Sequence, residues 1–135
     1  APKDCVITSE GYLVGVISEV GTNWAKVLTV VDTDFEIGAK VFRSGEAAMA
    51  TGNFNLMTKG QLRLEYINSD TALLNGDLIM TSGLGGYYPS DLVIGSVEEV
   101  VVDDSGATDY AILTPAADFD ALTEVFVITD FSIVE

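Results

Sequence analysis

The chain has 135 residues, 48% of them hydrophobic, and sets 6 Lys and Arg against 21 Asp and Glu for a formal net charge of −15. Such a surface repels nucleic acid and polyanionic membrane faces within the screening length, so neither is an expected partner. Histidine is absent and Cys5 is the one cysteine, which excludes Ser-His-Asp and Cys-His catalysis, His-ligated metals, thiolate zinc and an internal disulfide.

The opening Ala1-Pro2-Lys3 carries no start methionine, and Val6-Ile7-Thr8 already reads as strand. A segment of a longer protein is expected, with targeting and anchoring parts upstream. No window reaches the roughly twenty uninterrupted apolar residues of a membrane span, so membrane attachment is expected only through a missing upstream helix. Short runs rich in Val, Ile, Leu, Thr and aromatics predict strands over residues 13–20, 26–31, 40–43, 61–67, 77–81, 92–102, 110–114 and 124–129. Turns fall at Gly21-Thr22-Asn23, Thr51-Gly52-Asn53, Asn75-Gly76-Asp77 and Asp103-Asp104-Ser105-Gly106. Strict alternation over 61–66 places Leu62, Leu64 and Tyr66 on one face of a half-buried strand. Helical signal is thin: a turn or two over 116–122 with Asp118 near its amino end, and a weaker stretch over 45–50.

Two stretches echo each other. Residues 7–16 and 80–97 both run from a hydroxyl pair (Thr8-Ser9, Thr81-Ser82) through glycine into an apolar strand start. Downstream, Val27-Leu28-Thr29 followed by Asp34-Phe35-Glu36 returns as Ile112-Leu113-Thr114 followed by Asp118-Phe119-Asp120. Matched blocks in one order point to an internal duplication. With many short strands and no crossover helices, the expected fold is all-β, two small packed barrels. The first unit is expected over residues 1–45 and the second over 46–135. Segment 7–42 should then superpose on segment 80–126. The apolar run 126–134 suits an added strand returning to the first barrel, with the edge of a second molecule as the other candidate cover.

Residues that carry chemistry are few. Gly83-Leu84-Gly85-Gly86 lacks the Lys-Ser/Thr and helix start of a phosphate cradle. Its glycines instead permit positive φ and re-aim the chain into Tyr87-Tyr88-Pro89, whose rings either pack on the neighbouring barrel or anchor a partner protein. Val101-Val102-Asp103-Asp104-Ser105-Gly106-Ala107 resembles the active-site turn of retroviral-type aspartic proteases, but Asp103 is an intruding charge and the same residues make an ordinary hairpin turn. Asp32, Asp34 and Glu36, with Asp118 and Asp120, lack the spacing of a dedicated calcium loop. No catalytic residue, metal or cofactor is expected, and Cys5 reads as a small buried thiol.

The run T-S-G-L-G-G-Y-Y-P-S-D-L-V-I-G-S-V from Thr81, followed by P-A-A-D-F-D-A-L-T-E-V-F-V-I from Pro115, resembles the bacterial rod shape-determining MreC family. Further matching blocks are G-Y-L-V-G-V-I-S-E-V-G from Gly11, R-S-G from Arg43, L-R-L-E-Y-I from Leu62 and G-D-L-I-M-T-S-G from Gly76, in collinear order over nearly the whole chain. The resemblance implies a non-enzymatic scaffold on the outer side of the cytoplasmic membrane, tethered upstream, with two barrels arranged as in chymotrypsin-type proteases but without their catalytic groups. It implies class B penicillin-binding proteins and the MreD and MreB system as partners, and self-association. It makes Gly83, Leu84, Gly85, Gly86, Tyr87, Tyr88, Pro89, Leu92 and Gly95 the candidate interaction motif. A strand pair that the family carries before Val6 has no counterpart, so the first barrel should be incomplete. A small-ligand or carbohydrate-binding β module is the alternative function, and an aspartic protease the remote one.

Overall fold

The computed structural model describes residues 4–66, 74–83, 88–101, 110–118 and 125–128. These form strands β1 (Cys5–Ile7), β2 (Leu13–Val20), β3 (Ala25–Thr29), β4 (Glu36–Val41), β5 (Ala47–Thr51), β6 (Leu62–Tyr66), β7 (Leu78–Thr81), β8 (Val93–Val101), β9 (Tyr110–Pro115) and β10 (Phe126–Ile128), with one short helix, α1 (Phe54–Met57). A four-stranded sheet has the order β10-β1-β2-β3, and β4-β5-β6-β9-β8-β7 form a closed barrel. Closure comes from β4, which pairs with β5 along one side and β7 along the other. The barrel therefore has no free edge. The expected all-β fold, with a complete barrel and an incomplete first one, is what the described residues form.

Period-two patterning explains the barrel. Leu62 and Leu64 of β6, Ile37, Ala39 and Val41 of β4, and Ala48 and Ala50 of β5 alternate inward, and the first two are fully buried. They meet Phe35, Ile79, Ile94 and Leu113 in one core cluster. Because β4 supplies three of these side chains, the sheets divide between Thr29 and Glu36, ahead of the 45/46 boundary read from the sequence. The chain crosses back at β10, where Cys5, Val6 and Ile7 pair with Ile128, Val127 and Phe126. The Tyr66 side chain and residues 102–109 and 129–135 lie outside the described residues.

Helix expectations need correction. Residues 47–50 of the 45–50 stretch belong to β5, since alternating small apolar side chains satisfy a strand facing the barrel interior. The helix sits instead at α1, where the Asn53 side chain accepts hydrogen bonds from the Asn55 and Leu56 amides at 2.9 and 3.3 Å. In the 116–122 stretch, Ala116 donates to the Ile94 carbonyl at 3.0 Å, prolonging the β8–β9 ladder, and 119–122 lie outside the described residues.

The meanders β1-β2-β3 and β7-β8-β9 share unusual local features. Register shifts fall between Val6 and Ile7 and between Ile17 and Glu19 in one, between Ile79 and Met80 and between Val97 and Glu99 in the other. The Thr8 amide donates to the Tyr12 carbonyl at 2.9 Å, as the Thr81 amide does to Leu92 at 2.8 Å. In the loop between, Gly11 at φ 87° and Asp91 at φ 67° each donate an amide hydrogen bond to the threonine carbonyl. Gly15 pairs with Thr29 where Gly95 pairs with Pro115, so Leu28 corresponds to Thr114. The sequence echo aligns Thr29 with Thr114 and is one residue out of this register, because apolar triplets match in either offset.

A Cβ on Gly15 would lie 2.1 Å from the Leu28 carbonyl oxygen, and one on Gly95 would lie 2.2 Å from that of Thr114. Backbone cannot yield as a flexible side chain does. Gly15→Ala is therefore expected to destabilise the fold by about 1–3 kcal/mol, the range for overpacking, whereas Ser18→Ala on the exposed part of the same strand should stay within about 0.5 kcal/mol. Urea denaturation of the two variants checks this; an unchanged Gly15→Ala midpoint would contradict the close approach.

Candidate functional site

Of the nine motif residues, Gly83, Tyr88, Pro89, Leu92 and Gly95 are described, and Leu84, Gly85, Gly86 and Tyr87 lie outside the described residues. Thr81 organises the described ones. Its fully buried hydroxyl donates to the Pro89 carbonyl at 2.8 Å and accepts from the Leu92 amide at 3.0 Å, clamping the two sides of the turn together. Gly83 takes φ 70°, open to glycine without strain, and Lys40 forms an ion pair with Asp91 across the turn. Tyr88 is half-buried against the main core cluster, which contains Cys5 of the first sheet. Burial, with a smaller contribution from Cys5, raises the Tyr88 phenol above its ordinary value. The Cys5 thiol is itself pushed up to about 12, by burial first and the Asp4 charge second, which leaves it inert. Tyr88 thus ties the turn to the seam between sheet and barrel.

Removing the Thr81 hydroxyl strands a buried carbonyl and a part-buried amide. Thr81→Val is expected to cost about 1–3 kcal/mol, and Thr81→Ser, which keeps the hydroxyl, should recover most of it. Equilibrium denaturation separates the two; equal losses would mean that the methyl group and not the clamp matters.

Gly95 faces a groove of about 470 Å³ on the outside of the barrel. Among the described residues its walls include Leu78 of β7, Val93 and Ser96 of β8, and Thr114 and Pro115 of β9, with Tyr12 of the first sheet closing one end. Tyr12 arrives there through a parallel bridge to Val93. The strand bends at Gly95, so Val93 and Ser96 share the groove face while Ile94 and Val97 point into the core. Of the hydroxyl side chains of Tyr12, Ser96 and Thr114, that of Thr114 donates to the Glu98 carboxylate at 3.0 Å, drawing it to the rim. Tyr12, Ser96 and Thr114 escaped the sequence reading as site residues, since single polar residues within or beside apolar strands carry no signal until the register is known.

The start of β7 is held by Asp77, whose side chain is only 9% exposed. Arg43 donates to it twice, Nε to Oδ1 at 3.1 Å and Nη2 to Oδ2 at 3.0 Å, and the Leu74 amide donates at 2.9 Å. These bonds, that of Arg43 foremost, hold the Asp77 carboxyl below the ordinary carboxylate value of 3.8. A carboxyl more acidic in the folded than in the unfolded state stabilises the fold fully above pH 3.8 and loses that contribution as pH falls further. Asp77→Asn is expected to flatten the fall in thermal midpoint below pH 3.8, and a slope identical to that of the parent would contradict the assignment.

Chemically, the groove can bury apolar surface but assembles no acid–base pair, and among the described residues no three His, Cys, Asp or Glu side chains group as a metal site. Asp103 and Asp104, the protease-like carboxylates, lie outside the described residues. Fold and groove together define an all-β barrel module with an open surface groove. Residues 1–129 match the family model described as rod shape-determining protein MreC, barrel core, and the chain belongs to the MreC family. The cell shape-determining protein MreC of Listeria monocytogenes is 32% identical over 127 residues, 93% of this chain and 43% of that protein. The chain thus spans less than half the length of that relative. Among solved structures, one described as MreC superposes with a TM-score of 0.84 at 27% identity, covering 95% of this chain and 70% of that one. Another, a complex between penicillin-binding protein (PBP2) and MreC from Helicobacter pylori, gives a TM-score of 0.72 at 17% identity, covering 91% of this chain and 74% of the other, and shows likeness of fold.

Proposed function

We propose that the chain is the barrel core of a non-enzymatic scaffold of the cell-elongation machinery. It works on the outer side of the cytoplasmic membrane, holds class B penicillin-binding proteins, and connects them through MreD to the MreB system and so to rod shape. The family match over residues 1–129 carries this reading. Support comes from a fold neighbour solved with a penicillin-binding protein and from a groove suited to docking. A sugar or small-solute site needs several polar groups converging inside the cleft; here the Thr114 hydroxyl is turned to Glu98 at the rim, which disfavours that alternative. We further infer, from the shared register shifts, threonine contacts and glycine corners, that β1-β2-β3 and β7-β8-β9 descend from one duplicated unit in a chymotrypsin-like double-barrel arrangement, and that the full-length protein self-associates.

Depleting the full-length protein from its own cells is expected to turn rods into spheres. A full-length copy should restore the rods, and a copy lacking residues 1–129 should not. Rods that persist on depletion, or that return with the deleted copy, would overturn the scaffold reading.

A further inference from the structure

The correspondence between the two meanders gives the groove a counterpart. Leu78, Val93, Ser96, Thr114 and Ala116 occupy the positions of Cys5, Leu13, Val16, Leu28 and Val30. In the first sheet, that face is interior: Cys5, Leu13, Val16 and Val30 are buried in the main core cluster and Leu28 packs against it. In the barrel, the same face lines an open groove. Its volume of about 470 Å³ falls in the range of roughly 300–1,000 Å³ typical of binding pockets.

Charge selects the occupant. The groove walls named above are uncharged, while Glu98 stands at the rim, joined to Thr114, and neighbouring Glu99 is exposed. A second copy, itself carrying a net charge of −15, is disfavoured at this acidic rim. An apolar or aromatic side chain flanked by Lys or Arg fits both walls and rim. We propose that this groove receives such a basic-flanked apolar segment of the penicillin-binding protein, with Ser96 on its wall and Glu98 steering the approach. The inference rests on the scaffold reading above.

The test measures binding of the extracytoplasmic region of the class B penicillin-binding protein from the same cell to this chain on a sensor surface. Ser96→Trp fills the groove, Glu98→Lys reverses the rim, and Phe54→Ala alters an exposed ring on α1 as a control. With an unchanged thermal midpoint, Ser96→Trp is expected to weaken binding about tenfold or more, the loss of one hot-spot contact. Glu98→Lys should slow association roughly threefold at low salt and less at high salt. Phe54→Ala should change neither. If Ser96→Trp unfolds the chain, Glu98→Lys decides. Parent-like binding by a folded Ser96→Trp, or an unchanged association rate for Glu98→Lys, overturns the groove assignment and leaves the scaffold reading intact. Absence of binding by the parent chain overturns both. A change in the mass of the chain alone on Ser96→Trp marks the groove as a contact between copies and overturns the proposal.

Discussion

Two close approaches of backbone to backbone shape both meanders. β8 passes β9 so tightly at Gly95 that a Cβ would sit 2.2 Å from the Thr114 carbonyl oxygen, and β2 passes β3 in the same way at Gly15. Glycine lets each strand turn a corner there, and the corner breaks the inward–outward alternation: Leu13 and Val16 face one way while Val14 and Ile17 face the other. Two consequences follow in the barrel. Ile94 and Val97 both reach the core, and Val93, Gly95 and Ser96 gather on a single outer face. Without the corner there is neither a filled interior nor a groove.

Around that constraint the hydrophobic effect fills two unequal volumes. The main cluster runs from Phe35 and Ile37 through Leu62, Leu64 and Ile79 to Leu113, and takes in Cys5, Leu13, Val16 and Val30 from the open sheet. Each buried Leu, Ile or Phe contributes about 1.5–3 kcal/mol, so one continuous core welds sheet to barrel. A smaller cluster of Val6, Val14, Ile17 and Ala117, with Tyr12 and Val27 against it, lies on the opposite face of the first sheet. By register Val6, Val14, Ile17 and Val27 match Ile79, Ile94, Val97 and Leu113, so this smaller cluster takes the place that the barrel interior has in the second meander. Polar contacts then fix details: Thr81 clamps the turn and Arg43 with Asp77 anchors β7.

Much of this is written locally in the chain. Alternation in Leu62-Arg63-Leu64, β-branched runs such as those around Val97, and the repeated hydroxyl–glycine stretches reveal strands, fold class and the likeness of the two meanders. What is not local escapes. β5 has small alanines whose burial depends on the opposite barrel wall, so Ala48 and Ala50 read as weak helix. α1 is a single capped turn, shorter than any periodicity signal. The sheet boundary falls after Thr29 because β4 closes on β7, a pairing across nearly forty residues that no window reports. The motif around Gly83 and Tyr88 is legible, and Gly95 with it, but the groove also needs Tyr12 from the other sheet and Ser96 and Thr114 from paired strands, which only three-dimensional register brings together.

The described residues form a β module with a partly apolar groove, uncharged along its described walls, on a strongly acidic chain. Its shape is set by backbone approach at a glycine, and Glu98 places a charge beside it. The most direct measurement is amide hydrogen exchange of the chain with and without the extracytoplasmic region of the penicillin-binding protein. The account predicts added protection at residues 93–96 and 114–116 and little change in the exposed β2–β3 hairpin over residues 18–26. Protection confined to that hairpin, with residues 93–96 and 114–116 unaltered, would contradict it.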